Sequence, residues 1–290
     1  MADNSERQGV ERQGVERRGV ERPADVTRPP LPEPLPVEVL DAHCHLDLQD
    51  EAVEQAIGEA ASVGVTTLIT IGVDVPSSRW SAETAAVHDG VWATAAIHPN
   101  EAPTASDDDI DAIARLAVLA PVVGIGETGL DHFRTPPEGR ARQEESFRRH
   151  IQIAKDTGKA LVIHDRDAHQ DVLRVLREEG APEQTVFHCF SGEAELAAQC
   201  ARLGYVMSFA GNVTFKNAQP LRDALQVAPL ELLLVETDAP FLTPMPHRGR
   251  PNASYLIPTT LRAMAEVKGV ALDTLCTAVA ENGKRVFGLA

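Results

Sequence analysis

The feature that most constrains this 290-residue chain is a rhythm. Short β-branched or apolar runs recur eight times, at 38–42, 65–71, 91–97, 121–126, 160–163, 184–187, 205–209 and 231–235. Helix-length amphipathic stretches separate them, at 49–62, 76–88, 106–119, 138–157, 167–179, 192–203 and 217–227, and two more close the chain at 252–268 and 272–287. Runs of that length read as strands, and a helix between successive strands implies parallel pairing, because parallel neighbours need a long crossover. Eight such units from Val37 to the end match an α/β fold of the closed (β/α)8 TIM barrel type better than an open doubly wound sheet. A hydrophobic fraction of 43% with 24% charged residues gives such a chain enough apolar material for a core.

Six potential metal ligands sit at or just beyond the ends of these runs: His43 and His45 after the first, Glu127 after the fourth, His164 after the fifth, His188 after the sixth and Asp238 after the eighth. The C-terminal ends of barrel strands are the edge where active sites form. Neutral imidazoles and carboxylates suit a hydrolytic divalent ion such as Zn²⁺, Mn²⁺ or Mg²⁺, and six ligands exceed what one tetrahedral ion uses. Two divalent metal cations sharing one site is the expectation. In Asp41-Ala42-His43-Cys44-His45 the strand period of two places both imidazoles on one face. Taken singly, each histidine also reads as a hydrogen-bonded structural residue, and Glu127 and Asp238 as caps of the following helix. Their shared edge favours the metal. His98, in Ile97-His98-Pro99-Asn100, is expected as a buried imidazole or one that supports a ligand.

Other chemistries find little support. Gly124-Ile125-Gly126-Glu127-Thr128-Gly129 satisfies a dinucleotide fingerprint, but Leu130-Asp131-His132-Phe133-Arg134-Thr135-Pro136-Pro137 is no helix and offers no N-terminus for a pyrophosphate. There is no G-x-S-x-G elbow and no Walker loop. Cys44, Cys189, Cys200 and Cys276 form no C-x-x-C pair, so reduced thiols are expected rather than a disulfide framework. No apolar run reaches the roughly 18 to 20 residues of a membrane helix, and no secretory signal is evident, which points to the cytoplasm with no membrane contact. The net charge of −16 argues against a long basic face gripping duplex DNA, though not against catalysis on a nucleic acid at a cationic metal site.

Residues 1–36 differ from the rest. A five-residue unit repeats at Glu6-Arg7-Gln8-Gly9-Val10, Glu11-Arg12-Gln13-Gly14-Val15 and Glu16-Arg17-Arg18-Gly19-Val20, and a proline-rich stretch follows from Arg28 to Pro36. Five residues are too few for a stacking repeat. Seven acidic and six basic residues give this segment a net charge of −1, so it is no basic nucleic-acid arm. The expectation is a disordered low-complexity tail over 1–36 and a hydrolase barrel over 37–290.

The series Asp41-Ala42-His43-Cys44-His45, Gly126-Glu127-Thr128-Gly129-Leu130-Asp131, Ile163-His164-Asp165-Arg166-Asp167-Ala168, His188-Cys189-Phe190-Ser191-Gly192 and Glu236-Thr237-Asp238-Ala239-Pro240-Phe241-Leu242-Thr243-Pro244 resembles the TatD family of metal-dependent deoxyribonucleases, within the amidohydrolase-like barrels. The resemblance covers residues 37–290. It implies that His43, His45, Glu127 and Asp238 hold one metal and Glu127, His164 and His188 the other, with Glu127 bridging. Family members commonly carry Tyr where His132 stands and an Arg-Asn-Glu-Pro run where this chain reads Arg248-Gly249-Arg250-Pro251-Asn252-Ala253-Ser254, a departure that bears on substrate contacts.

From these residues we expect a phosphodiester hydrolase acting on single-stranded DNA ends, with Asp238 as general base and Glu127 organising the metals. Arg166, Arg134, Lys216 and Arg248 are the candidate substrate phosphate contacts, since guanidinium groups clamp phosphate in bidentate fashion. DNA would be a transient partner, and no obligate protein partner is inferred. The alternatives are a metal-dependent esterase, lactonase or aminoacyl-tRNA deacylase, and a non-catalytic metal-binding scaffold.

Overall fold

The computed structural model describes residues 27–289. Eight strands alternate with helices along the chain: β1 (Val39–Cys44), α1 (Val53–Ser62), β2 (Val65–Thr70), α2 (Val75–Val87), β3 (Val91–Ala95), α3 (Asp107–Ala117), β4 (Val122–Asp131), α4 (Pro137–Thr157), β5 (Ala160–Arg166), α5 (His169–Glu179), β6 (Thr185–Phe187), α6 (Ala194–Arg202), β7 (Val206–Phe209), α7 (Gln219–Val227), β8 (Leu233–Val235), α8 (Ile257–Lys268) and α9 (Leu272–Phe287). Every neighbouring pair is parallel and the strands follow sequence order from β1 to β8. Just beyond β8 the chain returns to β1: Asp238 N–H donates to the His43 carbonyl at 2.9 Å and His45 N–H to the Ala239 carbonyl at 2.8 Å. The eight expected units thus form a TIM barrel.

Strand alternation divides the core. On β5, Ala160 and Val162 join Val186, Val206 and Leu234 in a cluster drawn mainly from strands. Leu161 and Ile163 face the other way and pack with Phe147 and Ile151 of α4 and Val172 of α5. The helices start where the side chains allow. Asp74 and Ser77 form a reciprocal capping box at α2, and Ser106 and Asp109 do so at α3.

Two departures from the sequence expectation bear on the site and on the domain boundary. The fourth strand does not end at Gly126; it runs to Asp131, because after a register shift Thr128, Gly129, Leu130 and Asp131 pair with Ile163, His164, Asp165 and Arg166. Gly129 makes this possible. Its φ is +133°, and a Cβ there would lie 2.1 Å from the His164 carbonyl oxygen. The extension also removes the dinucleotide reading, since the glycines lie within a strand rather than in a strand-to-helix turn.

The second correction concerns the proline-rich stretch. It carries no helix or strand, but it is packed rather than free. Arg28 pairs with Glu51 at 2.7 Å and Glu59 at 2.6 Å and lies 5.1 Å from the Tyr255 ring centroid. The Tyr255 hydroxyl donates to the Pro29 carbonyl at 2.7 Å, Arg262 donates to the carbonyls of Glu33 and Pro34, and Leu35 N–H donates to Val63. A segment without regular structure leaves its carbonyls free to accept from side chains, and these do. The packed unit therefore includes residues 28–36, which the sequence placed outside it. The pentapeptide repeat lies outside the described residues. Among those described, no helix is long and apolar enough to cross a membrane, and the four cysteines are unpaired.

Candidate metal centre

The six expected ligands converge at the C-terminal edge of the barrel, around Glu127. Its two carboxylate oxygens face different partners. Oε2 lies 3.5 Å from His43 Nε2 and 4.0 Å from His45 Nε2, and Asp238 Oδ1 approaches the same two nitrogens at 3.7 and 3.5 Å. Oε1 lies 2.7 Å from His164 Nδ1, 2.9 Å from His188 Nε2 and 3.3 Å from His98 Nε2. Three triads bring their ligand atoms within 4.8 Å of one another: His43, His45 and Glu127; His98, Glu127 and His164; and His43, His188 and Asp238.

The fit to a metal rests on atoms that have nothing else to bind. His43 is fully buried, and neither of its ring nitrogens has a hydrogen-bond partner; His45 Nδ1 is also without one. Leaving buried polar atoms unpaired costs about 1–3 kcal/mol each, so such atoms in a native site call for an explanation. For His43 Nε2, which lies 3.5 Å from Glu127 Oε2 and 3.7 Å from Asp238 Oδ1, a divalent cation held by these residues would supply it.

The charges agree. Burial opposes ionisation of Glu127, but the imidazoles of His188, His98 and His164 outweigh it and hold the carboxyl well below the ordinary range. Burial likewise disfavours a His188 cation, and Glu127 and Glu236 overcome that penalty and raise its pKa well above the usual value. His43 goes the other way: burial, then the stacked His188 ring at 3.8 Å, lower its pKa. It stays neutral, the state in which imidazole offers a lone pair to a metal. Protons on His45 and His164, whose pKa values are raised, bring positive charge that a divalent cation would replace.

Several groups that steer these ligands were not singled out from the sequence. Glu236 Oε1 accepts from His188 Nδ1 at 3.1 Å and from the Cys189 backbone N–H at 2.8 Å. This fixes the tautomer that turns Nε2 toward Glu127, the usual arrangement of a carboxylate behind a ligating histidine. Asp131 does the same for His164: its Oδ2 lies 3.1 Å from Nε2, leaving Nδ1 for Glu127. Asp41 accepts from Thr237 N–H at 2.9 Å and from its hydroxyl at 2.5 Å, joining β1 to the Asp238 loop; burial pushes its carboxyl up to about 7. Asp238 adopts a left-handed backbone, φ +55°, a strained conformation of the kind that gathers at functional sites. The only advance signal for these carboxylates was their position next to a ligand or at a strand end.

His98 enters the centre, as a supporting imidazole. The Asn100 backbone N–H donates to its Nδ1 at 3.0 Å, so in the neutral ring the proton sits on Nε2 and points at Glu127. That nitrogen donates rather than ligates. The centre opens into a cleft of about 830 Å³ lined by His45, His98, Asp131, Arg134, Arg166 and Phe241 among others. Of the four expected phosphate contacts, Arg166 and Arg134 line it. Lys216 is exposed ahead of α7, and Arg248 stacks 4.3 Å from the Phe215 ring centroid; neither lines the cleft.

Residues 40–288 match the family model described as TatD related DNase. The chain is 41% identical over 259 residues to the uncharacterized metal-dependent hydrolase TatD of Mycobacterium tuberculosis, covering 87% of this chain and 98% of that one. It is 38% identical over 257 residues to the uncharacterized metal-dependent hydrolase YcfH of Escherichia coli, covering 86% and 95%. Among solved structures, the TatD homologue YjjV of Escherichia coli superposes with a TM-score of 0.83 at 26% identity, covering 87% of this chain and 98% of that one.

Proposed function

Because the chain belongs to the TatD family of metal-dependent hydrolases, we propose that it hydrolyses phosphodiester bonds at single-stranded DNA ends in the cytoplasm, using two divalent cations, Mg²⁺, Mn²⁺ or Zn²⁺. The observation that carries this reading is the division of Glu127, whose two oxygens address two separate groups of imidazoles. His43, His45, Glu127 and Asp238 would hold one cation, and Glu127, His164 and His188 the other. When bound, such cations polarise a phosphoryl oxygen and lower the pKa of water toward 7.

The remaining work belongs to side chains. Asp238 is the general base. Burial opposes its charge, but the neighbouring His45, His43 and His188 lower its pKa, so it is ionised at neutral pH and can take the proton of the attacking water. Arg166 and Arg134 reach the cleft and donate to the non-bridging phosphate oxygens. His98 holds Glu127 Oε1 from Nε2, while Glu236 and Asp131 keep His188 and His164 in register.

The test is an assay of purified protein with each metal on end-labelled oligonucleotides, run beside lactones and aminoacyl esters. We expect metal-dependent trimming of single strands, abolished by EDTA. Two arginines in the cleft also set the salt response at a shallow slope of about −0.7 per neutralised phosphate. Ester turnover that requires Asp238, with no nucleotide released under any metal, would replace this reading with a deacylase. Metal binding without turnover of any substrate would replace it with a scaffold.

A further inference from the structure

Phe133 is the aromatic member of the exposed large apolar side chains, 63% open to solvent, and it sits between two residues, Asp131 and Arg134, that line the cleft. The Arg166 guanidinium carbon lies 4.1 Å from its ring centroid. Arg166 is two positions beyond the ligand His164 on β5, so strand alternation sends both side chains to the same face. Among the described residues no carboxylate pairs with Arg166, whereas Arg28, Arg142, Arg148, Arg149 and Arg174 all hold carboxylates. A guanidinium held over a ring and without a carboxylate keeps N–H groups available for an anion.

The turn that carries Phe133 is tied to the metal centre. Asp131 Oδ1 accepts from the backbone N–H of Phe133 at 3.0 Å and of Arg134 at 2.7 Å, while its Oδ2 lies 3.1 Å from His164 Nε2. One carboxylate therefore sets both a candidate metal ligand and the aromatic ring. Solvation alone does not favour a bare phenyl ring on an acidic surface, and covering it gains apolar burial.

We propose that Phe133 and Arg166 form a nucleotide-end subsite, in which the Arg166 guanidinium binds the backbone phosphate and the exposed Phe133 ring stacks on the adjoining nucleobase. The subsite rests on the hydrolase reading above and deepens it. It accounts for a preference for single strands, since a base paired in a duplex has no free face to offer, and every base has a π-face, so stacking recognises unpaired bases without selecting among them.

The experiment uses the full chain loaded with Mn²⁺ and a short single-stranded oligonucleotide whose terminal nucleotide is either intact or abasic. Phe133→Leu keeps apolar bulk and loses the ring face; Phe133→Tyr restores it. For wild type we expect a KM about 5- to 20-fold lower on the intact end than on the abasic one, the scale of one stacked base. Phe133→Leu should erase that difference by raising KM on the intact end alone, with kcat within about two-fold, and Phe133→Tyr should restore it. Fluorescence anisotropy on the same oligonucleotides separates the two proposals. Cleavage without dependence on the terminal base, or an equal loss in Phe133→Leu on both ends, overturns the subsite and leaves the hydrolase reading standing. Absence of cleavage with base-dependent binding that Phe133→Leu abolishes overturns the hydrolase reading and supports the subsite. Absence of both overturns both.

Discussion

Two charged networks in this molecule are built from similar residues and behave in opposite ways. On the outer face of α4 and α5, Arg148 and Arg174 share Glu144 and Glu178, each reaching Glu144 at 2.7 Å, while Arg148 also holds Glu179 and Arg174 holds Asp171. Each guanidinium there has its carboxylates within the chain. At the metal centre, burial has removed water from His43, His45, Glu127 and His188, yet His43 keeps both nitrogens without a hydrogen-bond partner. The first network is closed on itself, in water, and contributes little. The second is open, out of water, and needs an ion to close it. Buried polar groups are where an unfilled requirement is expensive, so they are where a ligand can be inferred.

The comparison breaks most sharply at Glu127. Glu127→Ala should lower metal stoichiometry, measured by elemental analysis, together with turnover by about 10²- to 10³-fold, the scale of removing a group that organises transition-state charge. A variant that stays fully loaded and active would show that the carboxylate does not bridge. Asp238→Asn should retain much of its metal and lose about 10²- to 10⁴-fold in kcat, as expected when a positioned base is removed. Equal loss of metal and rate would make Asp238 a ligand without a proton-transfer role.

Removing metal with EDTA sharpens the contrast in stability. A cation present at about 100 times its Kd adds about 2.7 kcal/mol to the native state, so calorimetry should show the melting temperature falling by roughly 5–10 °C on chelation. Arg28 lies between the two extremes, half-buried and paired with Glu51 and Glu59. Deleting residues 1–35 should cost several degrees more than deleting 1–26; equal melting temperatures would mean that the Arg28–Pro36 strap adds no stability. The smallest effect belongs to the closed network: Arg148→Ala with Arg174→Ala should change stability by about 1 kcal/mol and leave kcat/KM untouched, because exposed pairs are screened by solvent.

Much of this architecture could be read from the residues, because strand and helix periods are local and the candidate ligands end strands whose direction the fold dictates. What escaped depended on register or on distant partners. The β4 extension through Glu127-Thr128-Gly129-Leu130-Asp131 exists because β5 lies beside it after a shift, and no local pattern in those residues announces a strand. Glu236 and Asp131 act through imidazoles that only the folded barrel brings near them. The packing of Arg28 could not be read among its prolines because its partners, Glu51 just ahead of α1 and Glu59 on it, are more than 20 positions away. His150 shows the reverse hazard. It is a histidine like the candidate ligands by type, but it lies on the buried face of α4, donates from Nδ1 to the Ser146 carbonyl at 2.7 Å and accepts from Ile97 N–H at 3.0 Å, and burial pushes its pKa down to about 4. Residue type alone does not separate a satisfied imidazole from an open one.

The junction between β1 and the segment after β8 has a consequence for timing. Asp41 and Thr237, 196 positions apart, share hydrogen bonds, and Asp238 meets His43 only where the first strand and the last come together. Chains emerge from the ribosome N-terminus first. A nascent chain can carry His43, His45, Glu127, His164 and His188 while it still lacks Asp238 and the Glu236 that orients His188. On the proposed function, a chain truncated before Glu236 would lack both the general base Asp238 and the carboxylate that orients His188, so hydrolytic competence would come only after the eighth strand has been made.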